Sequence, residues 1–183
     1  MLHQPSQLLE KNGEEIYQAL LAIKKSGLVK KIGISIYEPA ELDKFLNRFQ
    51  FDLVQAPLNI LDNRIVDSGW MTHLPSLDIE LQVRSAFLQG LLLMDRHNRP
   101  AKFDRWKKIL ANWDDWLSGN NLTAISACIN YTLSFQQVSK VIIGVDNVSQ
   151  LNEIISSANE ANINIPNNLK TTDCNLLNPF NWH

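Results

Sequence analysis

The chain has 183 residues, 45% of them apolar and 20% charged, which suits one soluble globular domain with a sizeable core. A formal net charge of -2 and a pI near 6.1 exclude the basic excess that nucleic-acid binding requires. The start Met1-Leu2-His3-Gln4-Pro5-Ser6 has no basic segment followed by an apolar one. The longest aliphatic run is only Leu91-Leu92-Leu93-Met94, so a cytoplasmic protein without a membrane span is expected. Cys128 and Cys174 are far apart, with no CxxC spacing and no histidine-rich neighbourhood. They read as two reduced thiols, Cys128 buried, rather than as a disulfide framework or a metal site.

In chain order the pattern alternates strand and helix, as in a parallel sheet joined by crossovers. Glu14 to Ser26 reads as a helix with Ile16, Leu20 and Ile23 on one face. Glu14 and Glu15 suit its first turn, Lys24 and Lys25 its last, and Gly27 its left-handed stop. Lys31 to Ser35 reads as a short buried strand. Pro39 opens a second helix with the stripe Leu42, Phe45, Leu46 and Phe49, followed by strands at Phe51 to Gln55 and Ile79 to Arg84. Between Met94 and Leu122 a longer connection holds a helix whose Trp106, Ile109, Leu110, Trp113 and Trp116 recur at helical spacing, a pattern expected of core. Another helix runs from about Leu122 to Gln137 with Leu122, Ile125, Ile129 and Leu133 inward. The last strand is expected at Lys140 to Val145 and the last helix from about Val148 to Asn159. No linker or low-complexity tract divides the chain, so residues 1–183 read as one domain.

The string Arg84-Ser85-Ala86-Phe87-Leu88-Gln89-Gly90 at the end of an apolar strand carries the strongest chemical signal. It occurs in series with Leu2-His3-Gln4-Pro5, Ile32-Gly33-Ile34-Ser35, Val54-Gln55-Ala56-Pro57, Ile142-Ile143-Gly144-Val145 and Asn178-Pro179-Phe180-Asn181-Trp182. In order and spacing these segments resemble the aldo-keto reductase family. The resemblance implies an α/β fold of the TIM (β/α)8 barrel type. Counting a strand that ends at His3, the chain would supply about five βα units, the fourth to eighth, with the first three lying upstream of Met1.

The resemblance also implies chemistry: hydride exchange between NADP or NAD and a small-molecule carbonyl or alcohol. A tyrosine donates the proton, a lysine and an aspartate tune it, and a histidine orients the carbonyl, so that developing alkoxide charge is met by fixed donors away from water. His3 matches that histidine, or is a frayed terminal residue; the other three would fall before Met1. Ser35 and Gln55 match positions that hydrogen-bond the nicotinamide carboxamide, against the alternative that neighbouring backbone satisfies them. Ile36 departs from the asparagine that many members use for the same grip.

Arg84 stands where many members stack a tyrosine on the nicotinamide ring. A guanidinium can also stack there, or face an anionic substrate or the pyrophosphate, or form a strand-end ion pair. Ser85 and Phe87 fall in the loop beside the pyrophosphate, and Gln89-Gly90 permits a tight turn. Gly144 marks a second anion site where a strand gives way to a helix. Asn147 and Gln150 resemble a capping box, while the resemblance places Gln150 and Glu153 at the adenine edge. Asp146 would repel a 2′-phosphate and accept from a ribose hydroxyl, which points toward NAD.

Three outcomes follow for function: an oxidoreductase completed by further polypeptide, a dinucleotide-binding or interaction module without turnover, or an inactive remnant. The 183-residue chain alone is expected to be catalytically silent. Self-association, or pairing with a complementary amino-terminal fragment, is expected from strand edges left open.

Overall fold

The computed structural model describes residues 1–158 and 166–182. The chain divides into two compact units: Met1–Pro57 with Arg64–Arg84 and Gln137–Lys140, and Leu58–Asn63 with Ser85–Gln136 and Val141–His183.

The first unit is built on an α/β core with a parallel four-stranded sheet. Its strands are β1 (Gly33–Ser35), β2 (Leu53–Pro57), β3 (Glu80–Arg84) and β4 (Val138–Val141), in the order β1-β2-β3-β4. Gly33 pairs with Leu53 and Ser35 with Gln55; Gln55 in turn pairs with Gln82 and Pro57 with Arg84. Ile34, Val54, Ala56, Leu81 and Val83 are buried on both faces, as the strands of a covered parallel sheet are. Helix α1 (Gly13–Lys25) carries the expected acidic first turn and basic last turn, and Gly27 has φ 77° just beyond its end. Its Tyr17 hydroxyl donates to Gln50 O and accepts from Gln50 N, and its ring packs 4.8 Å from Phe49.

The amino-terminal ends of the strands are tied by charge. Lys24 Nζ lies 2.5 Å from Asp52 Oδ1, and the other oxygen of that carboxylate accepts from Ile32 N at 2.8 Å. Burial pushes the Asp52 carboxyl up, but the Lys24 ammonium, the Ile32 amide and Lys31 outweigh it and leave the group below its usual range. Glu80 accepts from Gln82, from Lys31 and from Ser139 of β4, which together lower its pKa from 4.5 to about 2.

Several sequence expectations need correction. The strand ending at His3 is a single parallel bridge between Leu2 and Ile34, because Pro5 opens a 3-10 turn (Pro5–Leu9) at once. Helix α2 spans Glu41–Leu46 and stops short of Phe49, which is nonetheless buried against Tyr17 and Phe51. Two short helices, α3 (Arg64–Asp67) and α4 (Trp70–Ser76), flank Gly69 at φ 79° and were not anticipated. Strand β4 starts and ends earlier than Lys140 to Val145; Ile142 and Val145 lie beyond it, each 40% exposed. Among the described residues no further strand follows β4 in the sheet.

The second unit holds α5 (Lys107–Asn120), α6 (Ala124–Leu133), α7 (Val148–Ser157) and α8 (Cys174–Leu177). The expected core stripe is met in part: Leu110 and Trp113 are buried, whereas Trp106, Ile109 and Trp116 are only part-buried; Trp113 stacks 5.5 Å from Trp116 and donates its indole N–H to Leu92 O. Trp106 lies in a 3-10 turn before α5 and donates to Asp173, a bond that, with the Asn175 amide, holds the Asp173 carboxyl below its usual range. Helix α6 begins later and ends earlier than predicted. Thr123 caps it by accepting from Ser126 N, and Leu133 is 48% exposed rather than inward. The predicted end of α7 at Asn159 lies outside the described residues. Cys128 is buried and Cys174 exposed, and both are reduced thiols. Among the described residues no helix is long and apolar enough to cross a membrane, and no cluster of three or more His, Cys, Asp or Glu could hold a metal ion.

Candidate functional site

Parallel pairing places Ser35, the last residue of β1, beside Gln55, which lies in the middle of β2 because that strand runs on to Pro57 instead of ending at Gln55 as expected; Arg84 ends β3 beside Pro57. Ser35 is 2% and Gln55 5% exposed, an unusual burial for two uncharged polar side chains on strands that are otherwise apolar. Ser35 Oγ sits 3.5 Å from Gln55 Oε1, the outer limit of a hydrogen bond.

Arg84 closes the group from the third strand. Its Nε donates to Ser35 Oγ at 3.3 Å, its Nη2 donates to Ile36 O at 2.9 Å, and its guanidinium carbon lies 4.4 Å from the centre of the Tyr37 ring. Tyr37 is placed by the chain that follows β1. Glu41, in the first turn of α2, accepts from both Tyr37 N at 2.9 Å and Glu38 N at 2.6 Å, and Glu38 pairs with Arg64. Ile36, between Ser35 and Tyr37, is fully buried. A cleft of about 510 Å³ in this unit is lined instead by Tyr17, Phe49, Phe51 and Asp52, at the opposite ends of the strands.

In the second unit Ser85 and Phe87 begin a loop of left-handed residues: Ser85 at φ 63°, Leu88 at 46°, Gln89 at 53° and Gly90 at 82°. Three non-glycine residues in that region within six positions make this the most strained backbone of the described chain. The loop is anchored by Asn59, whose Nδ2 donates to Ser85 O at 3.1 Å while its Oδ1 accepts from Leu61 N and Asp62 N. Asn63 backs Asn59 and accepts from the Tyr131 hydroxyl.

Gly144 lies in the connection after β4, exposed, with open space where a Cβ would stand. Asn147 caps α7 by accepting from Gln150 N at 2.9 Å, the forward half of the expected capping box, while Gln150 Oε1 accepts from Asp146 N at 2.8 Å, one residue before the cap. Glu153 is exposed on α7, and His3 is exposed beside the Leu2 bridge.

The family model for aldo/keto reductases matches residues 1–167. The chain belongs to the aldo/keto reductase family. Among solved structures it is similar to an aldo-keto reductase from Bacillus halodurans in its apo form, with 19% identity, a TM-score of 0.67, and coverage of 82% of this chain and 53% of that one. It is also similar to a glycerol dehydrogenase from Gluconobacter oxydans, with 15% identity, a TM-score of 0.59, and coverage of 82% of this chain and 50% of that one. A thermostable aldo-keto reductase solved with the inhibitor epalrestat gives 17% identity and a TM-score of 0.56, covering 85% of this chain and 52% of that one. The chain thus spans about half the length of these structures. No curated protein matches.

In this aldo/keto reductase chain, then, Ser35, Gln55 and Arg84 come together at one end of the sheet. Ser85 with Phe87, and Gly144 with Asp146, Gln150 and Glu153, occupy two further segments of the second unit. Sequence reasoning passed over Tyr37 and Asn59. The signal for Asn59 was the turn-rich string Pro57 to Asn63; Tyr37 gave none beyond being an aromatic residue between a strand and a helix.

Proposed function

We propose that this chain forms the nicotinamide-binding side of an oxidoreductase that uses NADP or NAD to interconvert a small-molecule carbonyl and its alcohol. It would be one portion of a (β/α)8 barrel, with the remaining units supplied by further polypeptide. The observation that carries the reading is the buried Ser35–Gln55 pair on adjacent parallel strands, Ser35 at the carboxyl end of β1 and Gln55 two residues before that of β2, toward the end at which α/β barrels place their ligands. A hydroxyl and a side-chain amide, each able to donate and to accept, fit the carbonyl and amino groups of a carboxamide. When bound, the nicotinamide supplies or accepts the hydride. Gln55 and Ser35 orient its ring by hydrogen bonds, and Ile36 offers an apolar wall in place of a third polar contact.

By the family resemblance alone, Ser85 and Phe87 would contact the pyrophosphate, and Gly144, Gln150 and Glu153 the adenosine end. Asp146 favours NAD over NADP because its carboxylate would repel a 2′-phosphate. His3 would orient the substrate carbonyl. The second reading, a dinucleotide-binding module without turnover, rests on the same residues and differs only in lacking a proton donor.

Calorimetric titration of the 183-residue chain with NADH and NADPH tests the reading. Binding is expected, and Gln55→Ala should weaken it about five- to tenfold, the effect of one hydrogen bond in a partly buried site. No heat from either cofactor at millimolar concentration would reject the proposal in favour of an inactive remnant.

A further inference from the structure

Asn59 is fully buried and uses its polar groups in two directions. Within its own turn, its Oδ1 accepts from Leu61 N and from Asp62 N, both at 2.9 Å, its backbone N–H donates to Asp62 O at 3.1 Å, and its carbonyl accepts from Asn63 Nδ2 at 3.2 Å. Two backbone N–H groups aimed at one end of a side-chain amide identify that end as the oxygen, because the amino end cannot accept. The Nδ2 end is thereby turned away from the turn, and it donates to Ser85 O at 3.1 Å, 26 positions further along the chain.

The Ser85 carbonyl also accepts from Leu88 N at 2.9 Å, which closes the first turn of the loop. That loop holds Ser85, Leu88, Gln89 and Gly90 in the left-handed region. Non-glycine residues keep such angles only where the contacts around them over-determine the backbone. Leu88, fully buried, pins the middle of the loop by packing, and the Asn59 bond pins its start. Gln89, exposed at φ 53°, carries the cost of that conformation at the loop's tip.

We infer that Asn59 is a positioning residue for dinucleotide binding: its Nδ2–H holds the loop from Ser85 to Gly90 in the left-handed form that meets the pyrophosphate. The inference rests on the proposed dinucleotide reading and adds to it a residue, on a separate segment of the chain, that sets the shape of one of its contact loops. It also separates two ends of the ligand. Gln55 serves the nicotinamide alone, whereas a ligand that lacks the nicotinamide still needs the loop.

Binding of NADH and of ADP-ribose, which keeps the pyrophosphate and has no nicotinamide, would be measured on the 183-residue chain. Amide hydrogen exchange of residues 86–90 would be followed with and without ADP-ribose. Asn59→Asp keeps an oxygen for Leu61 N and Asp62 N, whose N–H groups hold the introduced carboxyl ionised, and replaces the donor facing Ser85 O by a second oxygen. It should speed exchange in the loop and weaken both ligands about fivefold, the effect of one hydrogen bond. Gln55→Ala should weaken NADH and leave ADP-ribose unchanged. Adding Gln89→Gly to Asn59→Asp should recover part of the loss, since glycine adopts left-handed angles freely.

Faster loop exchange in Asn59→Asp with unchanged ADP-ribose binding would overturn the inference and leave the nicotinamide reading intact. So would weaker binding with loop exchange as in wild type. If Asn59→Asp does not fold, wild type decides: ADP-ribose should slow exchange at residues 86–90, and bound ADP-ribose without that protection would overturn the inference. Failure of wild type to bind either ligand would overturn both it and the dinucleotide reading.

Discussion

Gly33 faces Leu53 across the parallel register, and a Cβ placed on it would stand 2.2 Å from the Leu53 carbonyl oxygen. Backbone cannot rotate away as a side chain can, so β1 and β2 would have to separate close to Ser35. Gly33→Ala is therefore expected to destabilise the fold by about 3 kcal/mol, the upper end of overpacking costs, with an unchanged denaturant slope in urea unfolding. A loss within about 0.5 kcal/mol of zero would mean that the sheet yields freely at this point.

At the same scale, Ser35, Gln55 and Arg84 were legible in the sequence because each is a polar residue within or at the end of an apolar run, an arrangement that needs a reason wherever it occurs. Tyr37 was not legible. Its role comes from Glu41 turning the following backbone back on itself and from an arginine 47 positions later in the chain reaching its ring, a contact that no local pattern encodes.

Among elements, the sheet has polar chemistry at one end and ionic ties at the other. Glu80, at the start of β3, joins Lys31 ahead of β1 and Ser139 and Lys140 of β4. Its pKa is about 2 in the folded chain against an ordinary 4.5, so the unfolded chain binds the proton more readily. The stabilisation is thus complete above about pH 4.5 and is lost as the pH falls toward 2. Lys31 is half exposed, so solvent screening keeps the contribution to about 1 kcal/mol or less. Glu80→Gln should lower stability at neutral pH and flatten its decline between about pH 5 and pH 2. Parallel acid curves for the two proteins would refute the assignment.

The long elements were readable for simple reasons: α1 and α5 span 13 and 14 residues, long enough for the helical period and terminal charges to repeat. Helices α3 and α4 have only 4 and 7 residues, and Pro75 lies inside α4, so no period could emerge. Strand β4 was misplaced because Ile142-Ile143 looks more strand-like than Val138-Ser139-Lys140-Val141. An edge position rewards pairing on one side and tolerates polar residues, so the less apolar segment takes it.

For the whole molecule, the exposed aliphatic residues are unevenly placed. Val148, Leu151 and Ile155 recur at i, i+3 and i+7 on one face of α7 and are 72%, 38% and 57% exposed. A stripe of this kind on a globular chain marks a surface that associates. We propose that the 183-residue chain self-associates through it. Light scattering after size exclusion should give a mass above 20.9 kDa, and Val148→Lys with Ile155→Lys should shift it down toward that value. A monodisperse monomer at high concentration would rule this out.

The two thiols offer a clock that needs no label built in. Cys174 is exposed, whereas Cys128 on α6 is wholly enclosed and burial pushes its thiol far up, away from the reactive thiolate. With excess Ellman's reagent the native chain should release one equivalent of chromophore quickly and a second only as often as the second unit opens. The slow rate, divided by that of an unfolded control, reads the free energy of that opening directly, without denaturant and without touching Ser35, Gln55 or Arg84.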